Sequence, residues 1–86
     1  MPTIPTVHLN GTPAARLRAQ TCVATAALRG AWNALVDAEP HMRDYYPQGP
    51  DAYTAASDEH ASRLARIQSV LFEIQALALA IDAQRR

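Results

Sequence analysis

Lysine is missing altogether from this chain of 86 residues, cysteine occurs once, glycine three times, and aromatic residues make up only 6%. Each scarcity removes a class of answer. The single Cys22 forbids an intrachain disulfide, and among the alanines and threonines of a helical pattern a free thiol behaves as a small hydrophobe, which fits a reducing compartment. Residues 1–10 have no basic stretch, and Pro2 and Pro5 stand where a secretory leader needs an apolar helix. The longest apolar stretch, residues 70–81, covers 12 positions, contains Glu73 and Gln75, and falls short of the ~20 residues of a spanning helix. No membrane segment and a cytoplasmic location are therefore expected. Eight arginines balance eight acidic residues, so no net field draws the chain onto nucleic acid or an anionic lipid surface. The use of arginine alone fits a GC-rich genome, although it also supplies planar forks suited to carboxylate or phosphate.

What is present is helical pattern. At this length there is room for one domain, residues 1–86, and so small a domain usually needs a staple or a partner. Alanine is the commonest apolar residue, which favours close helix packing. Residues 1–12 read as an extended arm ending in an Asn10-Gly11 turn, with Thr12 capping a first helix whose first position is Pro13. That helix is expected over 13–39. Its apolar seam, Leu17, Thr21, Ala24, Leu28, Ala31 and Leu35, is spaced four and three, while Val23, Ala27, Ala34 and Val36 widen it. Gly30 beside the seam would let another backbone approach closely. Pro40 ends the helix, because proline disfavours helical geometry in the residue before it.

Residues 40–50 form a connection, and a second helix is expected over 51–83. Its seam runs His60, Leu64, Ile67, Leu71, Ile74, Ala78 and Ile81, extended backwards by Ala56 and Tyr53. Beyond it, Val70, Phe72, Leu77 and Leu79 make the last turns apolar around most of their circumference. The expected fold is thus all-α: two long antiparallel helices forming a helical hairpin, with an extended N-terminal arm, assembling into a dimeric four-helix bundle or a higher oligomer. Arg85 and Arg86 at the end of the second helix suit its dipole, and Glu59 to Arg63 is an i,i+4 pair on its surface.

The residues that could carry chemistry are few. His8, His41 and His60 are far apart and have no metal-ligand spacing, and His60, on the seam, reads as a satisfied core or interface histidine. There is no nucleophile–base pair, carboxylate pair or metal cluster, so no catalytic residue, metal or cofactor is expected. The connection is the least bland segment. Tyr45 and Tyr46 offer flat amphipathic faces, with Arg43 and Gln48 as donors beside them. The competing reading is that both rings cap the end of the bundle and Arg43 pairs with Asp44 or Asp51. Second comes the turn before helix 1, His8, Asn10, Gly11 and Thr12, where a helix start exposes N–H groups to an anion. About 26 residues of helix separate the two segments by ~39 Å, so a site combining them must form between protomers.

The run His8-Leu9-Asn10-Gly11-Thr12, the run Arg43-Asp44-Tyr45-Tyr46-Pro47-Gln48-Gly49-Pro50 and the set Glu59, His60, Arg63 resemble segments of small phage- and prophage-encoded helical-hairpin proteins of unsettled function. The similarity spans nearly the whole chain and transfers no catalytic residue. It implies a phage origin and action in the host cytoplasm, among proteins that include counter-defence inhibitors, oligomeric sponges for cyclic nucleotides, and minor virion or assembly factors. No motif matches a known sponge residue by residue. Two functions follow as expectations. One is a non-enzymatic homo-oligomer sequestering a small anionic, nucleotide-like ligand between protomers through Arg43, Tyr45, Tyr46 and Gln48 with His8, Asn10, Gly11 and Thr12. The other is a protein–protein interaction module that docks the same tyrosine segment on a host protein or a virion component.

Overall fold

A computed structural model describes residues 2–84, and Arg85 and Arg86 with their expected role at the helix end lie outside the described residues. The chain is all-helical. Helix α1 spans Ala14–Asp37, a short α2 spans Met42–Tyr45 and leads into a 3₁₀ turn at Tyr46–Gln48, and α3 spans Pro50–Ala83. The molecule measures 62 × 21 × 18 Å, and its radius of gyration of 18.6 Å exceeds the ~12 Å of a globular chain of this length.

The start of α1 differs from expectation. Pro13 is the cap residue, with φ −58 and ψ 145, and no side chain caps the helix. Its carbonyl accepts from the N–H groups of Arg16 and Leu17 at 3.0 and 3.1 Å. Because the helix begins one residue later than the pattern suggested, the Thr12 hydroxyl falls outside the register from which it could reach a first-turn N–H. The start of α3 follows its proline: Pro50 is its first residue, and Gly49 before it adopts φ 97 and ψ 168, a backbone region essentially reserved for glycine.

α1 lies against α3, with the Arg18 guanidinium 3.1 Å from the Asp82 carboxylate and the Leu35 carbonyl against the His60 ring. Numbering therefore rises along one helix as it falls along the other. The pairing is not that of two matched helices and a plain loop. α3 has 34 residues against 24 in α1, and its first turns run past the end of α1 as an arm covered only by α2 and the 3₁₀ turn. The seams decide which faces meet: Leu17, Thr21, Ala24, Leu28, Ala31 and Leu35 are all half-buried, and in α3 Ala56, His60 and Ile81 are buried with Tyr53, Leu64, Ile67, Leu71, Ile74 and Ala78 half-buried. Only Ala56 and Ile81 form the buried apolar core among the described residues. Gly30 faces open space, with no atom within 4 Å of where a Cβ would lie, so the close backbone approach expected there is not made within the chain.

By length and composition alone α3 could cross a membrane, since an 18-residue window has mean hydropathy 1.5 and 6% of that window is buried. Counting uninterrupted apolar runs missed this, because Glu73 and Gln75 break a run but are absorbed in an average over five turns.

Candidate functional site

The connection is where the fold departs most from a simple turn. His41 is the cap residue of α2, its carbonyl accepting from the Asp44 N–H at 3.0 Å, and the chain then tightens through the 3₁₀ turn, which closes with the Gly49 N–H donating to the Tyr46 carbonyl at 3.3 Å. This winding turns Tyr45 back onto α3, where its ring meets Tyr53 at a centroid separation of 6.5 Å and an interplanar angle of 56°, a tilted aromatic pair. Tyr46 beside it is 78% exposed.

Between these rings lies a cavity of about 270 Å³ walled by Met42, Tyr45, Tyr46, Gly49, Pro50 and Tyr53. No charged side chain lines it. Arg43 and Gln48 are exposed outside its wall. Arg43 makes no ion pair with Asp44 or Asp51, the Arg18–Asp82 pair being the one within 4 Å among the described residues. For the same reason Glu59 and Arg63 do not form the expected surface pair; Arg66 instead donates to the Ser62 carbonyl at 3.3 Å. Sequence reasoning placed Tyr53 on the helix seam and overlooked it as a pocket wall. The available signal was its spacing of eight residues from Tyr45 across a segment holding two prolines and a glycine.

The second candidate segment folds separately. The Gly11 N–H donates to the His8 carbonyl at 3.1 Å, and the His8 ring lies so close over Gly11 that a Cβ there would meet Nε2 at 2.8 Å. His8, Asn10 and Thr12 are exposed. The arm before them is held by a contact the sequence did not suggest: the Gln84 side-chain amide donates through Nε2 to the Pro5 carbonyl at 2.7 Å and accepts through Oε1 from the Val7 N–H at 2.8 Å. A primary amide can pair with an extended backbone in this two-point way because it carries donor and acceptor side by side. His8, Asn10, Gly11 and Thr12 therefore sit at the Gln84 end of α3, and Arg43, Tyr45, Tyr46 and Gln48 sit at the Tyr53 end. The 31 residue steps from Tyr53 to Gln84 along α3 put the two groups ~46 Å apart, so one chain does not bring them together.

No family model, curated protein or solved structure matches the chain. The functional reading therefore rests on the pocket, the exposed faces and the residues that line them. Among the described residues no three metal-ligating side chains converge.

Proposed function

We propose that this chain is a non-enzymatic protein-interaction module, a phage-encoded protein of the host cytoplasm whose two long helices act as an antiparallel hairpin presenting the tyrosine pocket at its tip. The observation that carries the reading is the chemistry of that pocket. Its walls are methionine, three tyrosines, glycine and proline, which suit an apolar or aromatic side chain of a partner protein far better than an anion. Exposed Tyr46 on such a pocket, with exposed Arg43 three residues before it in the chain, has the composition of an interface hot spot.

The small-ligand reading, a counter-defence sponge for a nucleotide-like anion, is supported by Arg43 and Gln48 both reaching solvent beside Tyr46. It requires another copy to carry His8, Asn10, Gly11 and Thr12 across to them.

The test is a selection of binders from a random peptide library, followed by titration against the Tyr46→Ala and Arg43→Ala variants. Apolar-anchored peptides that lose about ten-fold or more in affinity with Tyr46→Ala and little with Arg43→Ala support docking in the pocket. Native mass spectrometry of protein purified gently from a bacterial host covers the other reading, since a retained nucleotide-sized adduct lost in Arg43→Ala would replace the docking module with the sponge.

A further inference from the structure

The flanks of the α1–α3 pair are not equivalent. On one side the arm lies over the pair: Thr3 and Pro5 share a cavity of about 300 Å³ with Leu17, Gln20, Thr21, Ala24, Ile74, Leu77 and Ile81. On the other side none of the described residues covers the groove between the helices. That groove, of about 490 Å³, is walled by Cys22, Thr25, Ala26 and Arg29 of α1 and by Gln75, Ala78 and Leu79 of α3. Leu79 is 72% exposed there, and Phe72, two turns earlier on the same side of α3, is 58% exposed.

We infer that this bare groove is the seat of a second copy of the chain, packed groove to groove in a two-fold dimer. Surface area is the first argument. A folded monomer of 9.4 kDa ordinarily exposes ~5,000 Å², whereas this chain exposes 6382 Å². The surplus of roughly 1,400 Å² exceeds the ~800 Å² that each partner buries in a standard interface. The core supplies the second argument, because the two buried apolar side chains among the described residues do not hold a domain of this length together, and the missing burial is available only where large side chains stand exposed. The third is the shape and charge of the surface. Cys22, Thr25, Ala26 and Ala78 are small enough for facing helices to approach closely, with Leu79 and Phe72 as knobs. Arg29, the one charged wall residue, has a stem long enough to lie along the interface while its guanidinium stays in water. A like copy fits such a surface without an opposite charge to match.

The proposal is independent of the tyrosine pocket, which lies at the end of the molecule rather than along its flank. Analytical ultracentrifugation of the full chain over a range of concentrations is expected to show a dimer. Leu79→Glu and Ala26→Glu should each raise the dimer dissociation constant by at least about 100-fold, each charge being introduced twice. Val23→Glu, 71% exposed on the flank away from the groove, and Tyr46→Ala should leave it unchanged. Alkylation of Cys22 reads the same interface without substitution, and the rate should fall as protein concentration rises through the dimer range. A folded monomer at every concentration, a Cys22 rate independent of concentration, dissociation by Val23→Glu but not Leu79→Glu, or a monomer that co-floats with phosphatidylcholine vesicles would each overturn the dimer. If Tyr46→Ala abolishes peptide binding while the chain stays monomeric, the pocket survives and this interface does not.

Discussion

His60 donates from Nε2 to the carbonyl oxygen of Leu35 across 2.6 Å and so closes the C-terminal end of α1 from a neighbouring helix. Leu35 belongs to the last turn of α1, where its carbonyl also accepts from the Ala38 N–H at 3.1 Å, and a carbonyl acceptor requires that Nε2 carry the proton. A seam otherwise built of Leu, Ile, Ala and Tyr therefore includes one polar residue whose ring finds a partner in the second lone pair of that carbonyl. His60→Ala should lower stability by about 1–3 kcal/mol through the lost bond and the space left behind, read as a shift in the urea midpoint. His60→Gln, which keeps a donor of shorter reach, should recover part of that loss. Recovery by His60→Leu, which fills the space without a donor, equal to that by His60→Gln would show that the ring acts by volume alone.

Gly49→Ala is expected to destabilise by about 1–3 kcal/mol although the space around it is empty, because φ 97 with ψ 168 penalises any Cβ. The loss should appear in thermal unfolding and should widen the Tyr45–Tyr53 contact, which an altered near-ultraviolet circular dichroism would report.

Gly30→Ala should act in the opposite sense and stabilise by about 1 kcal/mol, since an open helical position gains from alanine. Gly30 lies away from the groove of Cys22 and Leu79, so the same substitution should leave sedimentation unaltered. Destabilisation instead would mean that another backbone does pack there.

Gln84→Leu removes both bonds that hold the arm. The Val7 amide should then exchange its hydrogen roughly ten-fold faster or more, at ~1 kcal/mol per bond, while amides in the middle of α1 keep their protection. Arg18→Ala at the same end should cost no more than about 1 kcal/mol, because both partners of its ion pair with Asp82 are partly solvated at 50% and 35% exposure.

How much of this was legible in the sequence follows from the range of the interactions concerned. The four-and-three spacing of Leu17 to Leu35 and of Tyr53 to Ile81 correctly picked out the helix faces that meet, because helical periodicity is a property of neighbours in the chain. The start of α3 came one residue before the expected Asp51, because Pro50 fits the first helical position, where its missing N–H costs nothing. The Thr12 cap failed by one residue, since Pro13 satisfies the first-turn geometry with its own carbonyl. The winding of residues 42–48 was hidden because Pro47 and the two tyrosines read as loop, whereas packing against Tyr53 makes a helical turn the better solution. The Gln84 clamp on Pro5 and Val7 joins residues 79 and 77 positions apart, and no pattern in a single sequence announces such a pair.

The Gln84 clamp also settles how the molecule can be held. Because Pro5 and Val7 meet Gln84 at one pole, a surface tether attached to the arm at Pro5 or to the last turn of α3 holds the molecule by the same side, ~46 Å along α3 from Tyr53. Chains immobilised through either point would stand upright and display the tyrosine pocket to solution, and a partner's measured binding should not depend on which point is tethered.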